Sequence, residues 1–436
     1  MPLQNDRAES STRIAGSFSL LSSSTDIDMD FTPQDQHEAE ALITACLDLV
    51  SSDDLHRITL SVEQSQVHSW VQDRQGWTAL HAAAASGQAE LCTFLLRKSN
   101  AVWNMVDHLG FTAGDIAYSM NNAEAYQVLL AEGVRAELLK SLMTPNDIES
   151  PATETAPNEN QDETLLPTDG STRFVKPVKR STASDNATFL SSRLEFTHDS
   201  KGQAVALDEE GNGVMMGWEE PIMKRTAEWL CEPFEHRRQR SGGKGKERAL
   251  EEEEDDELVV LNVGFGLGII DTYLQTYRPT THLIIEPHPD VLAFASSQGW
   301  FTKPNVRFFH GTWQDYQLAL SDGTEPYLAF DAIYFDTYSE HYSDLHQFFD
   351  VLPDWLRDSS SRFSFFHGLG ATSRSFYDVY TEVSEIHLRE IGLDTQWEEV
   401  EVGMGEGVWE ATREGKKYWG DVGPFRMPKC RLGGMM

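Results

Sequence analysis

The carboxyl-terminal half of the chain alternates short apolar runs with longer amphipathic stretches. Five runs end in polar or glycine-rich turns: LVVLNVGF, HLIIEPH, VRFFHGTW, FDAIYFDTY and RFSFFHGLG. Runs that are apolar on both faces are typical of buried parallel strands, and the stretches between them predict βαβ units. The pattern therefore predicts an α/β domain with a parallel sheet covered by helices on both faces, whose ligands lie at the carboxyl ends of the strands.

The amino-terminal part has a longer period, because one unit occurs twice at an offset of 34 residues. The turn letters D-x-x-G-x-T at 73–78 recur at 107–112. We predict a short helix over 79–86 and a second one over 89–98, where apolar residues follow helical spacing. Residues 35–70 are predicted to form a diverged capping repeat, since one repeat cannot bury its own apolar face.

This unit resembles the ankyrin repeat, which implies a small all-α domain over residues 33–143. The first copy keeps the T-A-L-H pattern, whereas the second has Ala113, Gly114 and Asp115 where Pro-Leu-His is usual. We interpret His81 as a residue that hydrogen-bonds the repeat turn and not as a catalytic group.

Biased segments divide the chain further. Residues 1–32 are rich in Ser and Asp without any period, and we predict a disordered lead. The stretch 144–172 carries seven acidic residues, four prolines and no Lys, Arg or aromatic residue, which predicts a linker over 144–185 between two tethered modules. Basic residues followed by seven consecutive acids at 237–257 predict a solvated insertion loop within the domain 186–436.

The net charge of the chain indicates which classes of partner it can bind. Lys and Arg number 35 against 70 Asp and Glu, so the net charge of −35 repels nucleic acid and anionic lipid and suits basic proteins. The four cysteines stand far apart without a CxxC pair, which predicts neither a disulfide framework nor a metal site. No signal core or membrane segment is visible, so we expect an intracellular, reduced protein.

The turn containing Gly264, Gly266 and Gly268 is the strongest candidate for a ligand site. Glycines let the backbone turn from strand to helix and approach a ligand closely. Glu286 ends the next strand, 22 residues beyond Gly264, where an acid is placed to bind a ribose diol. Nicotinamide and S-adenosylmethionine sites share these features, but the G-x-G-x-G spacing and the polar segment 311–315 favour S-adenosylmethionine.

Several longer segments closely resemble one family. MMGWEEPIM, VLNVGFGLG, IIEPH, GTWQD and FDAIYFDTYSEHYSDLHQF resemble, in that order, segments of guanidinoacetate methyltransferase. An ankyrin-like domain joined to such a domain resembles the fungal-type (type IV) protein arginine N-methyltransferases, which modify the internal, delta nitrogen of arginine. The resemblance implies an S-adenosylmethionine-dependent Rossmann-like methyltransferase domain. It covers the repeats and residues 186–436, but not the linker or 237–257.

The resemblance implies roles for individual residues. Glu219 and Asp336 are implied to be catalytic and to hold a guanidinium, whose planar N–H forks match paired carboxylates without a metal. Asp336 is the better candidate to accept the nitrogen's proton, while Glu219 orients the group. The residues implied to contact S-adenosylmethionine are Phe196, Met215, Met223, Gly264, Phe265, Gly266, Leu267, Gly268, Ile269, Ile270, Glu286, Pro287, His288, Thr312, Trp313 and Asp336.

Interpretations without a ligand stay open for Met223, Glu219 and Asp336, and for Trp218 beside Glu219. Trp218 and Met223 also suit ordinary core packing. Glu219 also suits a solvated helix face, and Asp336 the cap of a strand end.

We interpret His341 and His346 as packing or hydrogen-bonding residues. His367 stands where relatives are expected to have a small amide, and its effect on substrate choice is open.

Three functions fit these observations. The first is methylation of the delta nitrogen of arginine in a basic protein, such as a large-subunit ribosomal protein, by a monomer of cytoplasm and nucleus that binds neither nucleic acid nor membrane. The second is a small-molecule guanidino methyltransferase, against which the ankyrin-like domain speaks. The third is an ankyrin scaffold with an inactive methyltransferase domain, against which the intact glycines and carboxylates speak. The double-glutamate loop and THW element of terminal-nitrogen enzymes are absent.

Overall fold

The computed structural model describes residues 33–48, 52–64, 69–143, 186–241, 257–338, 341–403, 409, 412, 418–420 and 422–433. The predicted lead 1–32, the linker 144–185 and residues 242–256 of the predicted insertion lie outside the described residues. Within the described part of the chain, no helix is both long and apolar enough to cross a membrane.

In the described ranges between 33 and 143, six helices form the amino-terminal repeat domain: α1 (Pro33–Leu47), α2 (Ser52–Gln64), α3 (Ala79–Ala85), α4 (Ala89–Lys98), α5 (Ala113–Ser119) and α6 (Ala123–Met143). The two repeat turns close in the same way, through an aspartate that accepts backbone N–H groups. Asp73 Oδ1 accepts from Trp77 at 2.8 Å, and Asp107 Oδ1 accepts from Phe111 at 3.0 Å. The predicted helices 79–86 and 89–98 are therefore confirmed as α3 and α4.

The ring of His81 joins two successive repeats. Its Nδ1 lies 3.1 Å from the backbone nitrogen of Thr78, and its Nε2 lies 3.2 Å from the carbonyl oxygen of Phe111. Burial lowers the pKa of His81, so the ring is neutral at cellular pH. The interpretation of His81 as a residue of the repeat turn is confirmed.

The second half begins with a small layer that covers the main sheet. It consists of α7 (Asn186–Ser191), the antiparallel strands β1 (Glu195–His198), β2 (Ala204–Leu207) and β3 (Gly213–Met216), a 3-10 turn (Gly217–Glu219) and α8 (Glu220–Ser241). Because α8 continues to Ser241, the prediction of a loop is wrong for 237–241. Arg and Gln are good helix formers, and extending an existing helix avoids the cost of nucleating a new one.

Within the residues that the structure describes, the main sheet has seven strands in the order β6-β5-β4-β7-β8-β10-β9. The bounds are β4 (Val259–Val263), β5 (Thr281–Ile285), β6 (Val306–Phe309), β7 (Ala332–Phe335), β8 (Arg362–Phe365), β9 (Leu393–Val400) and β10 (Phe425–Leu432). Strands β4 to β8 pair in parallel, which confirms the five predicted runs. Strand β10 runs antiparallel to both β8 and β9.

Helices cover both faces of this sheet: α9 (Ile269–Thr276), α10 (Pro289–Ser297), α11 (Trp313–Ser321), α12 (Tyr342–Trp355) and α13 (Arg374–Glu390). Successive residues of a strand face opposite sides. Accordingly, Val260 packs in the cluster with α8 and α9, whereas Leu261 packs in the cluster with α11 and α12. The predicted Rossmann-like α/β class, preceded by an all-α repeat domain, is confirmed.

The repeat domain packs directly on helix α13. Phe376, Val379 and Val383 of α13 are buried in the same apolar cluster as Trp103 and Leu130 of the repeats. The expectation of two tethered modules is therefore wrong for the described residues. A linker's composition reports on the linker alone, whereas the shared core depends on which helix faces remain apolar.

Candidate active site

Three glycines shape the turn between β4 and α9. Gly264, Gly266 and Gly268 have φ angles of 95°, 56° and 70°, which favour glycine. A Cβ on Gly264 would lie 1.9 Å from the carbonyl oxygen of Asp336, so only glycine lets this turn approach the end of β7. Above Gly266, the nearest atom to a Cβ would be the sulfur of Met215, at 3.5 Å. The turn is a backbone cradle beneath strand β3.

Glu286 lies beside this cradle at the end of β5. Its Oε2 accepts the backbone N–H of Phe265 at 2.9 Å, and its Oε1 accepts that of His288 at 2.7 Å. Burial raises the pKa of Glu286 to about 7, and the N–H groups oppose the rise. Each oxygen keeps a further lone pair, so the fixed carboxylate can accept hydroxyl donors from a ligand.

A buried polar cluster that the sequence reasoning missed holds the turn from below. Asn262 Nδ2 donates to the carbonyl oxygen of Gly264 at 3.0 Å and to both carboxylate oxygens of Asp271 at 2.9 Å. His282 Nε2 lies 3.0 Å from Asp271 Oδ1. The signal in the sequence is Asn262 itself, a polar residue in the middle of an otherwise apolar strand.

Two carboxylates approach the open side of the cradle from different elements. Glu219 lies in the 3-10 turn after β3 and is 9% exposed, and the half-buried Asp336 follows β7. Burial and the negative charge of Asp336 raise the pKa of Glu219 well above its usual range. Burial raises the pKa of Asp336 to about 7, against a hydrogen bond from Tyr334. Such a pair favours a cation, which would relieve both the repulsion and the desolvation.

Tyr418 completes the surroundings of Glu219 from the segment between β9 and β10. Its hydroxyl donates a hydrogen bond to Glu219 Oε1, and this bond opposes the rise in the pKa of Glu219. On the other side, the hydroxyl of Tyr334 lies 3.3 Å from the sulfur of Met223. Sequence reasoning missed both tyrosines, because no motif marks a residue that reaches the site only through folding.

Aromatic rings form a wall beside the carboxylate pair. The ring centroid of Tyr418 lies 5.8 Å from that of Trp218 and 5.0 Å from that of Trp409, and Trp419 lies 5.9 Å from Trp218. Trp218 is buried, so it serves the core as well as the wall. Flat π faces next to two carboxylates suit a planar, delocalised cation such as a guanidinium.

Other residues predicted to contact a cofactor lie around the cradle at different depths. Met215 covers Gly266 from β3. Phe196 on β1 stacks on Phe294, with ring centroids 4.4 Å apart, and lines a cavity of about 450 Å³ together with Leu267. The structure therefore places Met215 over the open face of the turn and Phe196 to one side of it.

Two predicted contacts have side chains turned into the core. The ring of Trp313 packs edge-on against Phe348, with centroids 5.4 Å apart. His288 is fully buried, and its Nδ1 accepts the backbone N–H of Asp290 at 3.1 Å. Thr312 caps α11 through its side chain. Trp313 Nε1 and His288 Nε2 are buried and have no hydrogen-bond partner among the described residues, and the roles of Trp313 and His288 as cofactor contacts stay predictions.

His341, His346 and His367 lie in the surroundings of structural residues and not of catalytic ones. His367 Nε2 lies 2.8 Å from Thr381 Oγ1, and burial lowers the pKa of His367 to about 3, so its ring is a neutral part of the core. His346 stacks on His387, with ring centroids 3.7 Å apart. The backbone of His341 caps α12. The interpretation of His346 as a packing residue is confirmed, and that of the exposed His341 stays a prediction.

An aromatic cover over the cradle also escaped the sequence reasoning. Phe189 on α7 lies 5.0 Å from the ring of His288 and 4.8 Å from that of Tyr338. Asn186 Nδ2 donates to the carbonyl oxygen of Tyr338 at 3.2 Å. Helix α7 thus packs against the residues that follow β5 and β7 at the carboxyl edge of the sheet.

Comparison with known families divides the chain as the fold does. Residues 42–139 match the model of ankyrin repeats, in three copies. Residues 256–363 match the model of guanidinoacetate N-methyltransferase. These matches cover the repeat domain and the part of the catalytic domain that carries the glycine turn, Glu286 and Asp336.

Curated relatives extend the similarity to most of the chain. Protein arginine N-methyltransferase 2 of Cryptococcus neoformans var. neoformans is 35% identical over 383 residues, which is 84% of this chain and 88% of that protein. The Aspergillus fumigatus protein of the same name is 34% identical over 79% of this chain and 77% of its own length. The Yarrowia lipolytica protein of that name is 40% identical over 56% of this chain and 46% of its own length.

Solved structures show a weaker likeness. A structure of a putative methyltransferase from Thermoplasma acidophilum is 15% identical, has a TM-score of 0.28 and covers 41% of this chain and 70% of that chain.

Proposed function

Because this chain belongs to the protein arginine N-methyltransferase 2 family, we propose the donor, the acceptor atom and the substrate of its reaction. The enzyme methylates arginine. Its donor is S-adenosylmethionine, its acceptor is the internal, delta nitrogen of arginine, and its substrate is a basic protein such as a large-subunit ribosomal protein. A guanidino compound of low molecular weight is the alternative substrate.

The cradle supports the choice of donor. Gly264, Gly266 and Gly268 present backbone where side chains would block a ligand, and the carboxylate of Glu286 is placed to accept hydrogen bonds from a ribose diol. When bound, S-adenosylmethionine supplies a methyl group already activated on a sulfonium, so the protein's part is alignment and electrostatics. Met215 would cover the ligand from strand β3.

The carboxylate pair supports the proposal that a guanidinium nitrogen accepts the methyl group. A guanidinium is charged at every cellular pH and offers planar N–H forks, so Glu219 and Asp336 can fix its plane and aim one nitrogen at the cradle. If that nitrogen received the methyl group as the bond from methyl to sulfur broke, it would lose one proton. Asp336 accepts this proton, because its carbonyl group borders the glycine turn and its pKa of about 7 suits a general base.

Glu219 has the orienting role in this arrangement. The hydroxyl of Tyr418 occupies one of its oxygens, which leaves the other oxygen to pair with the guanidinium. The aromatic wall around Trp218 then limits the guanidinium to one plane.

Two features of the sequence support the delta nitrogen. The arrangement of ankyrin repeats and catalytic domain resembles that of the delta-nitrogen enzymes. The double-glutamate loop and THW element of the terminal-nitrogen enzymes are absent.

The net charge supports the choice of substrate. At −35 the chain attracts basic proteins and repels nucleic acid, and ankyrin-like stacks present an extended concave surface for protein docking. We place the enzyme in the cytoplasm and nucleus, as a monomer.

Mass spectrometry tests the acceptor atom. The chain is incubated with donor carrying a labelled methyl group, a basic protein extract and guanidinoacetate, and fragmentation then distinguishes internal from terminal monomethylarginine. Asp336→Asn is the matched control for background methylation. Terminal monomethylarginine would overturn the delta assignment, and label found only on guanidinoacetate would favour the small-molecule alternative.

A further inference from the structure

The second ankyrin-like repeat departs from its pattern where it meets the catalytic domain. Gly114 stands at a position that is usually Leu, and a Cβ there would lie 2.3 Å from Ser375 Oγ at the start of α13. Any side chain at Gly114 would therefore push α13 away. The departure is an adaptation to close contact, not a decayed repeat.

Asp115, at the next position, binds both domains at once. Its Oδ2 accepts the backbone N–H of Thr112 at 3.0 Å, which caps α5. Its Oδ1 accepts the backbone N–H of Ser375 at 3.0 Å, and the hydroxyl of Ser373 lies 2.9 Å from both carboxylate oxygens. An acid at a helix amino terminus satisfies free N–H groups and favours the helix dipole. A repeat-domain residue thus caps a helix of the catalytic domain.

The loop that leads into α13 lies between this junction and the carboxylate pair. Ser373 ends the loop, and its backbone N–H donates to the carbonyl oxygen of Gly370 at 2.9 Å. The N–H of Gly420 donates to the carbonyl oxygen of Ala371 at 2.6 Å. Two residues before Gly420 stands Tyr418, which binds Glu219. A continuous series of contacts joins Asp115 to the proposed guanidinium site.

We propose that Asp115 is a positioning residue for methyl transfer, acting through the Ser373 loop on Tyr418 and Glu219. The repeat domain is then part of the catalytic architecture and not only a docking module. This inference rests on the proposed function of the carboxylate pair. A series of contacts becomes a functional connection only when coupling is measured, so its test is a coupling experiment.

His81 provides a matched control for a merely structural role. It occupies the same position one repeat earlier, 34 residues before Asp115, and makes the same type of capping box, with Thr78. Its bonds run to Thr78 and Phe111, both within the repeats. His81→Ala therefore weakens the repeat domain without touching the start of α13.

The first experiment is single-turnover methyl transfer to a short peptide with one arginine, at saturating donor and peptide. The full-length wild type, Asp115→Ala, Asp115→Asn and His81→Ala are compared. We expect Asp115→Ala to slow transfer roughly ten- to a hundred-fold, the scale of a misplaced reacting group, with donor affinity unchanged. Asp115→Asn, which keeps one acceptor oxygen, should recover part of the rate. Equal rates for Asp115→Ala and His81→Ala would overturn the inference.

A second variant guards against simple unfolding of Asp115→Ala. Ser373→Ala removes the hydroxyl contact to Asp115 from the catalytic side and leaves the Ser375 N–H bond in place, so the rate loss in the double variant with Asp115→Ala should be clearly smaller than the product of the two single losses. Fully multiplicative losses would show that the two residues act independently and would overturn the inference.

Hydrogen exchange separates this inference from the proposed function. If the wild type methylates no arginine, the proposed function fails, but the coupling can still be measured. The inference expects faster exchange of the Gly420 amide in Asp115→Ala than in His81→Ala, since that amide is bonded to the Ser373 loop. Identical exchange at Gly420 in the two variants would contradict it.

Discussion

Tyr418 donates a hydrogen bond to a carboxylate oxygen of Glu219, although 199 positions separate the two residues. The bond favours the charged form of a carboxylate whose burial beside Asp336 favours the neutral form. Tyr418 therefore helps to keep Glu219 ready for a cation at cellular pH.

The first prediction concerns pH dependence. A donated hydrogen bond lowers the pKa of Glu219, so Tyr418→Phe should raise that pKa further above its usual range. Because the guanidinium needs the charged form, the acidic limb of the kcat/KM profile should move to higher pH. The rate well above that limb should change little. The profile is measured from about pH 6 to about pH 9, a range that lies on both sides of the pKa of about 7 of Asp336. An unshifted acidic limb would show that the Tyr418 bond does not control Glu219.

The second prediction separates the two carboxylates. Asp336→Asn should slow the chemical step by roughly 10² to 10⁴, because the nitrogen then lacks an anionic acceptor for its proton. Glu219→Gln keeps the shape and one acceptor, so it should mainly weaken substrate binding. Single-turnover rates at saturating donor and independent donor dissociation constants measure both effects. If Asp336→Asn transfers methyl at the wild-type rate, or loses the donor entirely, Glu219 becomes the leading candidate for the acceptor.

The third prediction concerns donor binding. Gly266→Val should abolish the binding of S-adenosylmethionine, since the side chain would fill the cradle from a backbone conformation that valine rarely adopts. Gly323→Val is the matched control, because Gly323 also has a positive φ of 77° but has no atom within 4 Å of a Cβ. Calorimetry measures binding, and circular dichroism checks the fold. Equal loss of binding in both variants would assign the effect to backbone strain.

The fourth prediction also concerns the donor, through Glu286. Glu286→Ala should weaken binding by about 1 to 3 kcal/mol, the usual scale for a hydrogen bond to a charged group. The same variant leaves the buried N–H groups of Phe265 and His288 without their acceptor, so its thermal stability is measured alongside. A stability loss without any change in the donor dissociation constant would mean that the ribose lies elsewhere.

The fifth prediction concerns the junction between the domains. Gly133 lies inside helix α6, where Gly→Ala ordinarily stabilises by about 0.5 to 1 kcal/mol. Here a Cβ would lie 2.6 Å from Val379 Cγ2 and 3.0 Å from Trp103, so overpacking should dominate and lower the free energy of unfolding by about 1 to 3 kcal/mol.

A double-variant cycle checks the cause. Adding Val379→Ala to Gly133→Ala makes room at the contact, so the penalty of Gly133→Ala should be smaller in the Val379→Ala background. Chemical denaturation of the four proteins measures the coupling. A Gly133→Ala variant that is more stable than the wild type would mean that the repeats do not pack on α13 as closely as described.

Several features could be predicted from the sequence because they depend on local pattern. Apolar runs of strand length predict β4 to β8, since only buried strands tolerate such continuous apolarity. The glycine turn and Glu286 follow from their place at strand ends. Glu219 and Asp336 could be named from their motifs, although no motif shows that folding brings them together.

Other features were decided by tertiary structure alone. The antiparallel pair β9 and β10, the bond of Tyr418 to Glu219 and the packing of α13 on the repeats all join segments that are distant along the chain. Composition indicated two separate modules, and Gly114 and Asp115 read as decay of a repeat. The physical reason for Gly114 and Asp115 is visible only once α13 packs on the repeats. Gly114 allows a close approach and Asp115 caps a helix of the other domain, and both are relations between surfaces that a linear pattern does not contain.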